Sequence, residues 1–280
     1  ENENNQEVIL DKQFLKDVYP NSVMNNYGAV SLGNNGSQMS PTAVLVDEYE
    51  TIHGKSIEED ATYDPKNPYE NRDPRLSYTL YVPGSELPDG SIYDSRPGWS
   101  SSLDVVGASY QVSKTGYLPR KYINVEDIGQ SNRTNCGINL VIMRYAEILL
   151  IAAESRIEQN KELDKALLYL NQIRQREDVN MPILSLTSQE DLRKALRHER
   201  LVELALEGHR FFDIRRWRTA ESVCNTNQII GLRYVDKESG ELITVVNDYS
   251  KKFGQRDYLW PIPYNERQLN GNLTQNLGWD

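Results

Sequence analysis

Glu199, Glu203 and Glu207 recur at four-residue steps within HERLVELALEGHRFFDIRRW (residues 198–217), and Arg210, Arg215 and Arg216 follow close behind. On a helix that spacing stacks the carboxyls one turn apart on one face. Two carboxyls at such a separation approach the geometry of a retaining glycosidase pair, one serving as acid and the other as nucleophile. The stretch also opens on His198-Glu199, the start of an H-E-x-x-H zinc signature, but residue 202 is Val and the second ligand is missing. His53 and His209, the remaining histidines, stand at no ligand spacing from it, so no metal site is expected. The glycosidase reading meets its own obstacle. Glu199 and Glu203 share the stripe of Leu192, Ala195, Leu196, Val202 and Leu206, which packs inward. Glycosidase carboxyls project into a cleft, whereas buried carboxylates need cationic partners, and Arg144, Arg200, Arg210, Arg215 and Arg216 can supply them. The better reading makes Glu199, Glu203, Glu207, Arg210, Arg215 and Arg216 a structural ion-pair lattice that locks helix to loop, with no catalytic residue among them.

The other available chemistry is ligand binding by loop aromatics. The chain holds 17 tyrosines against 4 phenylalanines, and Tyr27, Tyr63, Tyr69, Tyr93 and Trp99 fall in turn-rich segments. Tyrosine offers an apolar ring with a polar tip, which suits sugars as well as half-buried packing. Sugars present flat C–H faces that stack on such rings, while Asn, Asp and Arg bind their hydroxyls. Trp99, in SRPGWSSS, has the least evident packing reason for its place. Tyr27, Tyr63 and Trp99 are the candidate ligand contacts; for each ring, plugging the core is an equal alternative. No nucleophile elbow, Cys–His pairing or cofactor loop is present, so no cofactor is expected. The net charge of −10 argues against a general nucleic-acid binder. Cys136 and Cys224 make neither a disulfide framework nor a metal set, and are expected as free or buried thiols.

These residues need elements to position them. Residues 1–135 read as loop-rich and partly β. Val8–Leu10 and Leu76–Val82 are expected strands, Gln13–Val18 a helical turn, and Thr42–Thr51 a short helix. Residues 136–220 read as helical. Ile142, Tyr145, Ala146, Leu149, Ala152, Ala153 and Ile157 form a wide stripe, and Ile148, Leu150 and Ile151 make that helix apolar nearly all round, hence deeply buried. Leu163, Ala166, Leu167, Leu170 and Ile173 form the face of a second helix, which gives an αα-hairpin with tetratricopeptide-like small-residue spacing. Thr187 with Glu190 predicts a capping box for the helix leading into 198–217. In residues 221–280, Leu232–Val235 and Leu242–Val246 flank KESG as a hairpin, and Pro261 with Pro263 favours an extended wrap.

Five separated stretches then point one way. They are SPTAVLVDEYETIHGKSI (40–57), NPYENRDPRLSYTLYVPG (67–84), RYAEILLIAAES with ALLYLNQIRQRE (144–155 and 166–177), RHERLVELALEGHRFFDIRRW (197–217) and YLWPIPYNERQLNGNLTQNLGW (258–279). In this order they resemble the SusD/RagB family of nutrient-binding outer-membrane lipoproteins of Bacteroidetes. The resemblance implies a mainly α fold, a SusD-like α-α superhelix of tetratricopeptide-like helix pairs plus a loop-rich region with short β-strands. It implies that residues 1–280 are the C-terminal portion of such a protein, with the N-terminal helical half and lipid anchor outside this chain. It further implies a non-enzymatic protein on the extracellular face of the outer membrane. Such a protein binds oligosaccharides, or peptides in the RagB branch, and delivers them to a SusC-like TonB-dependent transporter.

Overall fold

The computed structural model describes residues 5–34, 38–128 and 134–279. In chain order the elements are β1 (Val8–Lys12), α1 (Val23–Tyr27), α2 (Ala43–Glu48), α3 (Arg75–Thr79), β2 (Leu80–Tyr81), β3 (Leu118–Pro119), β4 (Leu140–Arg144), α4 (Tyr145–Glu158), α5 (Leu163–Arg174), α6 (Gln189–Glu203), α7 (His209–Arg216), α8 (Ala220–Cys224), β5 (Thr226–Val235), β6 (Leu242–Lys251) and α9 (Tyr264–Leu269). Helices α4, α5 and α6 share one core, in which Leu150, Ala153 and Ile157 meet Ala166, Leu170 and Ile173 and are closed over by Leu192 and Leu196. Each leucine or isoleucine so withdrawn from water contributes about 1.5–3 kcal/mol. The link between α4 and α5 turns sharply through Asn160 and Glu162, both in the left-handed region. A second core beside it joins Ala43 and Val46 of α2, Leu76 of α3, Val202 of α6 and Leu232 of β5. Helix α6 therefore belongs to both cores, and this is what brings its carboxylates under the loop region.

The strands pair two by two: β1 with β4, β2 with β3, and β5 with β6, all antiparallel. Gly231 in β5 lets the Thr115 backbone come close, where a Cβ would lie 2.5 Å from the Thr115 carbonyl oxygen. Leu232 N–H donates to that carbonyl at 2.7 Å, so the 115–117 loop is fastened to the hairpin.

Several expectations are corrected. Helix α4 is not buried all round: Ile148 and Ile151 are 37% and 47% exposed, because only the Leu150–Ala153–Ile157 side faces the core. Ile142 lies in strand β4, where the β1 edge supplies backbone partners from Val8↔Arg144 to Lys12↔Leu140. The expected strand Leu76–Val82 is mostly helix α3. Asp73 accepts the Arg75 N–H at 2.9 Å and starts the turn, which leaves only Leu80 and Tyr81 extended. Gln13–Val18 is a tight turn closed by Leu15 and Tyr19, with Asp17 in the left-handed region. The α6 cap is Ser188 rather than Thr187, its hydroxyl accepting the Asp191 N–H at 3.0 Å. The hairpin extends well beyond both expected strands. The C-terminal wrap is interrupted by α9, which starts immediately after Pro263. Most consequential, the helix expected to run as far as Gly208 is shorter: α6 ends at Glu203, and α7 starts after Gly208, which has φ +87°. Glu207 therefore stands off the helix rather than one turn further along it.

Candidate functional site

Glu199 and Glu203 on α6 are 1% and 4% exposed. Arg75 on α3 reaches both: its Nη1 pairs with Glu199 and lies 3.1 Å from Glu203, while its Nη2 holds Asp73 at 2.7 Å. Arg174 on α5 bridges Glu199 at 3.3 Å and Glu50 at 2.7 Å. Glu203 also receives Arg144 at 2.8 Å and Arg176 at 2.6 Å. Glu207 takes Arg144 at 2.8 Å and Lys121 at 2.6 Å. Burial pushes the Glu203 carboxyl up, but Arg144, Arg176 and Arg75 outweigh it and hold the group well below the usual carboxylate range. Glu207 follows the same balance, with Lys121 and Arg144 prevailing over burial. A general acid needs its carboxyl raised, and Glu203 is shifted the other way.

A second charged cluster lies beyond the helix break. Asp213 takes Arg200 and Arg216, each at 2.8 Å. Arg216 also holds Glu154 at 2.7 Å, and the Trp217 indole N–H donates to Glu154 at 2.7 Å. The structure thus divides the residues that the sequence groups together. Glu199, Glu203 and Glu207 join one network, Arg216 joins the other, and Arg210 and Arg215 have no ion pair among the described residues. Arg215 instead packs its guanidinium on Phe211 at 3.6 Å and Phe253 at 5.1 Å. It sits two residues from Asp213, a separation that faces away on a helix. Arg210 is half-buried, and both Asp213 oxygens are taken by Arg200 and Arg216. Arg75, Arg174, Arg176 and Lys121 are partners that sequence reasoning missed. They come from three other segments, α3, the loop after β3 and the C-terminal end of α5, and no local spacing marks them.

The loop aromatics separate as well. Arg96-Pro97-Gly98-Trp99 forms a turn in which the Trp99 N–H returns to the Arg96 carbonyl at 3.3 Å, with Gly98 at φ +76°. Proline followed by a positive-φ glycine is the pattern of a type II turn. The turn sets the indole against β5, where its N–H donates to the Val235 carbonyl at 2.7 Å while the ring stays 40% exposed. The Arg96 guanidinium lies 4.4 Å from the ring centroid and is bidentate to Asp94 at 2.8 Å. Trp99 overlooks an open groove of about 690 Å³ whose lining includes Lys66, Tyr69, Arg96 and Arg233. Tyr69 is braced from behind, its hydroxyl donating to that of Tyr117 at 3.3 Å, and Arg233 is held by Asp47 at 2.7 and 2.9 Å.

The other candidates do not reach this surface. Tyr63 is half-buried under the Arg72 guanidinium at 5.6 Å, near Asp47 and Arg233 but outside the groove lining. Tyr27 is half-buried in a different place, 6.3 Å from Tyr122. Tyr93 is 1% exposed and gives its hydroxyl to the Gly116 carbonyl, as a core plug does. Lys66, Arg96 and Arg233 are groove residues that the sequence reading passed over; the RPGW turn signal at least places Arg96 beside Trp99.

The histidines lie apart: His53 contacts Asp60 at 2.8 Å, His198 the Glu48 carbonyl at 2.7 Å, and His209 Glu147 at 3.4 Å. Among the described residues no His/Cys/Asp/Glu group is arranged to hold a metal ion. Cys136 and Cys224 are free thiols, and burial pushes the Cys136 thiol up to about 12. Among the described residues no helix is long and apolar enough to cross a membrane.

Comparison with known proteins converges on one group. The family model described as the SusD family matches residues 6–279. SusD-like protein P2 of Formosa agariphila is 31% identical over 162 residues, covering 56% of this chain and 29% of that protein. SusD-like protein P25 of the same species is 30% identical over 159 residues, with 54% and 26% covered. Among solved structures, a SusD-like carbohydrate binding protein from Bacteroides fragilis superposes with a TM-score of 0.83 at 31% identity, over 96% of this chain and 55% of that one. A second SusD-like protein from Bacteroides fragilis gives 0.76 at 27% identity, over 99% and 55%. The chain thus spans about half the length of these solved relatives and under a third of the curated ones.

Proposed function

Because the chain belongs to the SusD family, we propose that it is part of a non-enzymatic protein that captures glycans at the outer face of the outer membrane. One observation carries the reading: Trp99 is a half-open indole fixed at its N–H by Val235, on the wall of an open groove. A ring immobilised in this way gives a sugar C–H face a flat apolar platform and loses little freedom when it does so. In this reading Trp99 is the contact residue, and Tyr27 and Tyr63 serve packing. The captured oligosaccharide passes to a SusC-like TonB-dependent transporter. The α4–α5 hairpin is one tetratricopeptide-like pair of a longer α-α superhelix. Residues 1–135 and 221–280 form the loop and hairpin cap over residues 136–220. The buried, arginine-locked state of Glu199 and Glu203 supports a scaffold role over glycoside hydrolysis.

A glycan array probed with the chain and with Trp99→Ala tests this. Binding to an oligosaccharide that the variant loses is expected. Equal binding by both proteins would move the site elsewhere.

A second reading, capture of a peptide or protein, has its own observation. Phe212 and Ile151 are 65% and 47% exposed along an open groove between α4 and α7. Peptide binding abolished by Phe212→Ala but unaffected by Trp99→Ala would favour it.

A further inference from the structure

We propose that the Trp99 groove selects anionic glycans, whose acidic substituent, a uronate carboxylate or a sulfate ester, is held by Lys66, Lys237 and the free edges of Arg96 and Arg233. The proposal rests on the glycan-binding reading of the same groove. The chain is acidic, with net charge −10, yet this groove is lined by Lys66, Arg96 and Arg233 against the single carboxylate Glu70. Exposed Lys237 adds a fourth cation, its Nζ 6.0 Å from the Trp99 centroid. Asp94 and Asp47, which pair with Arg96 and Arg233, are not part of the lining; they grip the guanidiniums from behind and orient them.

The pairing geometry leaves donors free. Arg96 spends Nε and Nη2 on Asp94, so Nη1 remains. Arg233 spends one N–H of each Nη on Asp47, so Nε and the outer hydrogens remain. Neither Lys66 nor Lys237 has a carboxylate within ion-pair distance among the described residues. The groove is therefore rich in hydrogen-bond donors and flanked by an indole platform. A neutral sugar can satisfy such donors, but water does so equally well. An acidic substituent on a ring stacked over Trp99 gains charge-assisted hydrogen bonds instead. The acidic remainder of the molecule matters less, since charges beyond about 8 Å are screened at physiological salt.

The test is affinity electrophoresis and calorimetry with the full chain. Polygalacturonate is compared with its methyl ester, and a sulfated galactan with its desulfated form, at about 20 mM and about 500 mM NaCl. At low salt at least one anionic polymer is expected to bind about tenfold tighter than its neutral counterpart, and to lose about that factor at high salt. The polymer that binds identifies the substituent as carboxylate or sulfate. The double variant Lys66→Glu/Lys237→Glu, at two exposed positions, should erase the preference, and Trp99→Ala should weaken binding about tenfold or more. Equal, salt-insensitive binding of charged and neutral partners would overturn the anionic preference while leaving glycan capture standing. Binding of none of these polymers, together with no neutral glycan on the array, would overturn both.

Discussion

Glu203→Gln removes one negative charge from a site where three guanidiniums converge. In the native protein Glu203 takes Arg144 at 2.8 Å, Arg176 at 2.6 Å and Arg75 at 3.1 Å, with a side chain only 2% exposed. Glutamine keeps one acceptor oxygen and nearly the same volume, so packing changes little and the effect is electrostatic. Arg75 retains Asp73 and Glu199, and Arg144 retains Glu207 and Glu7. Among the described residues, Arg176 is left only with exposed Asp178 at 3.4 Å. Stripping one partner from a buried ion pair costs about 3–5 kcal/mol, and the retained partners place this case near the low end, about 3 kcal/mol. The assay is urea unfolding followed by circular dichroism. The pH dependence supplies a second check. The folded-state carboxyl is held below its unfolded value, so its stabilisation is complete above the ordinary glutamate range and is lost as pH falls through and below it. Wild type should therefore lose its advantage over the variant progressively on acidification, from about 3 kcal/mol at neutral pH. A difference below about 1 kcal/mol at neutral pH, or one that does not narrow in acid, would refute the account of these carboxylates as a buried lattice.

Other perturbations probe other parts of the fold. Gly231→Ala places a Cβ 2.5 Å from the Thr115 carbonyl oxygen, a backbone atom with little room to yield. It should cost about 1–3 kcal/mol, read as a thermal midpoint lower by several degrees. Leu170→Ala, at a fully buried position in the α4–α5–α6 core, should cost about 2–5 kcal/mol by denaturant titration. In native protein a thiol reagent should label half-buried Cys224 well before Cys136, which is buried with its thiol pushed up to about 12. Labelling of both at one rate in folded protein would contradict the packing around Cys136.

The legible parts of the sequence were those governed by local periodicity. The α4–α5 hairpin could be read because Leu149, Ala153 and Ile157 answer Ala166, Leu170 and Ile173 at helical spacing. The burial of Glu199 and Glu203 could be read from their place on a leucine stripe. Their partners could not, since Arg75 lies 124 residues from Glu199 and 128 from Glu203, and contact at that distance is made by topology alone. The break after Glu203 left only Gly208 as a trace; Leu206, with φ +66°, adopts an unfavourable conformation that no sequence rule assigns to leucine. Leu76–Val82 reads as strand by composition, and the Asp73 side chain at the head of α3 helps turn its first residues into helix. At the groove, Arg-Pro-Gly-Trp announced its turn. Whether Tyr27, Tyr63 or Trp99 faced solvent depended on how aperiodic loops pack, which residue types alone do not encode.

The central claim, that a tethered indole in an open groove binds sugar, is tested most directly by calorimetric titration of the array-selected glycan into the chain and into Trp99→Ala. The account predicts measurable affinity for the chain and a loss of about tenfold or more on removing the ring, the equivalent of about 1.4 kcal/mol of stacking and burial. Unchanged affinity in a variant that keeps its fold would contradict it.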